Sequence, residues 1–166
     1  MLGFFRSKPL LDEATTDWLH EVFGWALKNF GADVFHAETV LVLPTEAFFP
    51  GRVNSRHAMA RLVFDRVQAH AGLTHWSCRL VEPERFDPAS RGWPHFEGAI
   101  RGAQGIALRP AHAEEALAFT YEPDMVSNPE ALIATFAHAF AAHLGALAVD
   151  PPPGGEENWP HITELL

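Results

Sequence analysis

The chain has 166 residues, and 21 Asp and Glu stand against 12 Lys and Arg, a formal net charge of −9 with His neutral. One domain suits that length, and an acidic balance argues against sequence-independent binding of nucleic acid, which needs a basic face. One Cys excludes an intrachain disulfide framework and a Cys-based zinc cluster, whereas ten His are a rich supply of metal ligands and proton carriers.

The N-terminus reads Met1-Leu-Gly-Phe-Phe-Arg6-Ser-Lys8-Pro9. Its apolar run is too short for a signal-peptide core. The longest charge-free stretch in a helical region, Ala131 to Val149, is interrupted by Thr135, His138, His143 and Gly145. That pattern predicts a buried helix rather than a membrane span. A soluble cytoplasmic protein that does not engage membranes is expected.

The first predicted helix runs from Asp17 to Phe30, with Asp17 or Thr16 as cap and Gly31 as stop. Leu19, Phe23, Ala26, Leu27 and Phe30 form its apolar stripe, widened by Trp18, Val22 and Trp25. Thr39 to Leu43 is a β-branched and leucine run ended by Pro44, which predicts a buried strand. A turn-rich apolar loop, Pro44 to Gly51, follows. Asn54 or Ser55 then caps a second helix reaching Ala71, with Met59, Leu62, Val63 and Val67 inward. Arg52, Arg56, Arg61 and Arg66 point outward there, a small basic face best read as solvated.

Thr74 to Val81 alternates, with Trp76, Cys78 and Leu80 on one side, and predicts a half-buried strand with a packed thiol. Glu82 to Gly105 reads as a long loop. Gly105–Arg109 and Ala116–Glu122 are predicted to form an antiparallel pair around Pro110 to Glu115. Asn128-Pro129-Glu130 opens a third helix running to about Leu144: Asn128 caps it, Pro129 takes the first helical position and Glu130 complements the dipole. Asn158 caps a last helix beginning near Trp159-Pro160.

On the third helix Leu132, Ile133, Phe136, Phe140 and Leu144 make a bulky face, and Ala131, Ala134, Ala141 and Gly145 a small one. Both faces are expected to be covered. His138 lies in the middle of the small face, where a buried imidazole needs a partner or a metal.

The run Asn128-Pro-Glu-Ala-Leu-Ile-Ala-Thr-Phe-Ala-His138-Ala-Phe-Ala-Ala-His143 resembles the central helix of zincin-like proteins, which carry H-E-x-x-H. With the loop Pro44, Thr45, Phe48, Phe49, Pro50, it is also similar to a family of uncharacterised bacterial proteins, over about Leu11 to Leu166. The resemblance implies an α+β domain in which a small mixed or antiparallel sheet packs on a buried central helix. In H-E-x-x-H the two His four apart reach one zinc and the Glu is the general base. Here Ala139 stands at the Glu position and Ala142 at the second His position; His143 is one residue late. Five residues turn a helix by about 500°, so the two imidazoles diverge by about 140° unless a π-bulge intervenes. In the resembling proteins a third ligand comes from a following helix, and Glu164 matches it, with His161 three residues before. The implied zinc set is His138, His161 and Glu164, with His143 as a fourth only through a bulge.

Of the other His, none shows ligand spacing, and there is no Gly-rich phosphate loop or nucleophile elbow. Two readings follow, beside the blander one in which this core serves only folding. In the first, a degenerate zincin-like domain without peptidase activity serves as an accessory or interaction protein. In the second, a zinc-dependent hydrolase has an altered metal site, with His95 or Glu97 as base. A single domain over residues 1–166 is expected, ending inside an amphipathic helix where the resembling family continues: either a C-terminally shortened member, or a protein that pairs with something that completes the core. Exposed Trp159, Ile162 and Leu165 would then favour a homodimer.

Overall fold

The computed structural model describes residues 10–85, 117–163 and 165–166. The expected strand Gly105–Arg109, the loop residues His95 and Glu97, and Glu164 lie outside them. The order is α1 (Glu13–Phe30), α2 (Ala32–Glu38), α3 (Arg56–His70), β1 (Cys78–Leu80), β2 (Leu117–Phe119), α4 (Pro129–Gly145) and α5 (Trp159–Ile162), with short 3-10 turns between. The fold is α+β: helices dominate and pack on a small sheet.

Local capping chemistry fixes the longer helices. Ser55 Oγ accepts the Ala58 amide of α3 at 3.1 Å, and Asn128 Oδ1 accepts the Ala131 amide of α4 at 3.2 Å. Helix α1 begins earlier than the sequence predicts, because Asp12 rather than Asp17 accepts the Thr15 amide, at 2.7 Å. Gly31 ends α1 with φ 99°, yet α2 starts at the next residue instead of a loop.

Among the described residues the sheet is a parallel pair, with Cys78 opposite Leu117 and Leu80 opposite Phe119. The expected antiparallel partner of β2, Gly105–Arg109, lies outside the described residues; within them β2 pairs with β1 across the long connection of residues 81–116, as a parallel pair requires. The expected strand at Thr39–Leu43 is irregular and exposed apart from Val42. β-prone residues hold a strand only when a partner offers a ladder, and among the described residues this segment has none.

Among the described residues two apolar cores result. The larger lies between α3, α4 and one face of the sheet. Phe64, fully buried, meets Phe119, Phe136 and Phe140 at ring separations of 5.1 to 5.3 Å. Gln68 ties the turn from α3 into β1, donating to the carbonyls of Leu73 and Trp76 at 2.9 and 3.0 Å. The smaller core joins Val22 and Trp25 of α1 to Ala148 and Ile162. Polar bonds frame it: Asn29 Oδ1 accepts the amides of Val149 and Asp150 at 2.7 and 3.1 Å, and the Trp25 indole donates to the Asp150 carbonyl at 3.1 Å.

This second core corrects three expectations. The inward stripe of α1 is Trp18, Val22, Trp25, Ala26 and Phe30, so Phe23 stands outside it, about half exposed. Ile162 is fully buried and Trp159 half-buried, so of the three residues expected to form a dimer face only Leu165 is exposed. The small face of α4 is covered only towards its C-terminus, at Ala141 and Gly145, while Ala134 and His138 are exposed.

Candidate functional site

Helix α4 is regular from Pro129 to Gly145, so its histidines diverge as the ideal spacing requires. His138 is exposed, which removes the buried, partner-demanding imidazole expected there. His143 falls on the opposite, bulky side, half-buried, with its ring 5.4 Å from that of Phe119 in an edge contact. Burial holds its proton affinity below the ordinary histidine value. Ala139 belongs to that inner side too, packed against the larger core. A helix presenting H-E-x-x-H would place two imidazoles and a carboxylate around one ion; α4 presents one imidazole to solvent, one to the sheet, and a methyl group between.

His161 is exposed on the four-residue α5. Glu164 lies outside the described residues. Among the described residues no group of three or more His, Cys, Asp or Glu is arranged to hold a metal ion. Cys78 is packed against the larger core, and burial pushes its thiol up to about 11, away from nucleophilic use.

One polar pairing was not foreseen. His57, in the first turn of α3, and Tyr121, just past β2, share a hydrogen bond of 3.2 Å between Nδ1 and the hydroxyl. Burial and then the carboxylates of Glu84 and Glu82 raise the tyrosine's pKa, so the phenol stays protonated. Their separation of 64 residues left no local signal in the sequence. His70, similarly, donates to the Phe48 carbonyl at 2.9 Å and anchors the Pro44–Gly51 loop to α3. A surface depression of about 410 Å³ lies along α3 beside Arg61 and Asp65, which pair with each other at 2.9 Å.

The other unforeseen feature is apolar. Helix α2 has no buried residue, although it carries Val34 and Phe35. Phe35 meets Phe23 of α1 at 5.2 Å between ring centroids, and both rings remain substantially exposed. The chain continues into Val40, 66% exposed, and Leu41, 78% exposed, with Leu43 beyond. A contiguous exposed apolar run is uncommon on a folded surface. The sequence signal lies in the β-prone Thr39–Leu43 run, whose pattern alone predicts a core strand. No helix among the described residues is long and apolar enough to cross a membrane.

Comparison of the chain with protein-family models, with curated proteins and with solved structures finds no match.

Proposed function

We propose that this chain is a zincin-like protein without peptidase activity, which acts by binding, as an accessory or interaction protein in the cytoplasm. The carrying observation is the state of α4. His138 faces solvent, His143 faces the sheet, and Ala139 stands where a zinc peptidase needs its general base. Restoring two ligands to one side would require a π-bulge, and the helix is regular throughout. The exposed apolar surface of α1, α2 and Val40–Leu43 supports a binding role. The formal charge of −9 supports partners other than nucleic acid.

The test is metal analysis of the gently purified full chain together with hydrolysis of an unstructured protein substrate. Sub-stoichiometric zinc, no chelator-sensitive hydrolysis, and the same metal content in His138→Ala are expected. Stoichiometric zinc that falls in His138→Ala, accompanied by chelator-sensitive hydrolysis, would overturn the reading.

A further inference from the structure

We infer that the face formed by Phe23, Val34, Phe35, Val40, Leu41 and Leu43 is a docking surface for a basic amphipathic segment of a partner protein. This rests on the reading of the chain as an interaction protein and names the chemistry of its partner.

Two independent observations carry it. The first is that this surface is apolar and exposed, with no core role among the described residues. Every side chain of α2 is exposed, Phe23 leaves the core stripe of its own helix to meet Phe35, and Leu41 is 78% exposed. Gly24, beside Phe23, has open space around its Cα where a Cβ would meet nothing. A glycine in an exposed helix interior costs about 1 kcal/mol relative to alanine, and no close contact among the described residues requires it. A bare backbone at that point lets another chain approach closely.

The second observation is charge. Residues 10–50 carry seven carboxylates against one lysine, Lys28, and that lysine is held by Asp150 at 2.6 Å. Glu38 follows Val34 and Phe35 by one helical turn, so it borders the apolar surface, with Asp33 next to Val34 and Glu46 past Leu43. Electrostatic complementarity therefore favours an apolar partner with a positive rim. A second copy of this chain would bring the same acidic border against itself, a like-charge contact that disfavours association. An anionic lipid surface is disfavoured for the same reason.

The probe is a fluorescent amphipathic peptide of leucine and lysine, with a leucine–glutamate peptide of the same pattern as control. Binding is read by anisotropy with the full chain. The lysine probe is expected to bind at low salt and to weaken at roughly physiological salt. Leu41→Asp and Phe35→Asp should each weaken it at least tenfold, while Val149→Asp, an exposed apolar site elsewhere, leaves it unchanged. Because α2 contributes no buried side chain, these variants should keep the parent circular dichroism and unfolding midpoint.

Equal affinity of wild type and both Asp variants would overturn the inference. So would equal binding of the glutamate peptide. Self-association in sedimentation that Leu41→Asp abolishes would overturn it in favour of a second copy. A zinc-dependent peptidase activity would overturn the proposed function and leave this binding result standing, so the two failures are distinguishable.

Discussion

Gly145 packs against the Cζ2–Cη2 edge of the Trp159 indole. A Cβ built on this last residue of α4 would overlap the Cζ2–Cη2 edge of the six-membered ring and stand 3.2 Å from Leu166 Cδ1. The small side of α4 is thus a seat for one aromatic side chain, which then meets Trp25 edge-on at 6.1 Å and closes the smaller core. Gly145→Ala should destabilise the fold by about 1–3 kcal/mol, the usual cost of overpacking a filled site. Urea unfolding followed by tryptophan fluorescence measures it. A midpoint unchanged from wild type would show that Trp159 moves aside freely.

That contact illustrates what the sequence made legible. A bulky face and a small face on α4 were readable from the 3.6-residue period, and so was a neighbour close against the small side. The extent of its cover was not: Trp159 reaches Gly145 but leaves Ala134 and His138 in water. Ser55 and Asn128 were legible as caps because capping is decided within four residues. The pairing of β1 with β2 was not, since its partners are separated by the whole of residues 81–116 and no local rule selects parallel over antiparallel. That Ala139 and His143 depart from H-E-x-x-H spacing was legible, yet the exposure of His138 depends on tertiary cover.

Asn29 is a clip between α1 and the segment after α4. Its carbonyl oxygen accepts the amides of Val149 and Asp150, while its amide nitrogen donates to the Trp25 carbonyl at 2.8 Å. Asn29→Ala leaves two backbone donors without this acceptor and should cost about 1–3 kcal/mol. Asn29→Asp keeps the acceptor and should cost less. Equal losses in the two variants, measured by urea unfolding, would mean that the acceptor contributes nothing.

His143 makes stability depend on pH. Burial lowers its pKa in the folded chain below the ordinary 6.5. As pH falls through 6.5, the unfolded chain takes up the proton before the folded chain does. Stability is therefore fully present above this window, declines on acidification, and stops declining below the folded pKa. His143→Gln removes the titration, and comparison with wild type cancels the other histidines. The difference should be flat above about pH 7.5 and should turn against wild type towards about pH 5. A pH-independent difference would count against the buried, neutral imidazole.

The Cys78 thiol should resist modification in the folded chain. With its pKa raised to about 11, almost none is thiolate near neutral pH, and the side chain packs against the larger core. Ellman's reagent should react slowly with native protein and rapidly in denaturant. Fast native labelling would place the sulfur outside that core.

Phe64 and Phe23 give the sharpest contrast between a packing ring and a contact ring. Phe64 is fully buried and touches Phe119, Phe136 and Phe140, so its truncation leaves a cavity between α3, α4 and the sheet. Phe64→Ala should cost about 3–5 kcal/mol. Phe23 is about half exposed and its ring partner is Phe35, itself on the surface. Phe23→Ala should change stability by only about 0.5 kcal/mol, as surface substitutions do. The same variant should weaken binding of the leucine–lysine probe, because the ring supplies contact area to the docking face. A large loss of stability in Phe23→Ala would return this residue to the core stripe that the sequence pattern assigned it. The exposed face would then lose one of its two aromatic anchors.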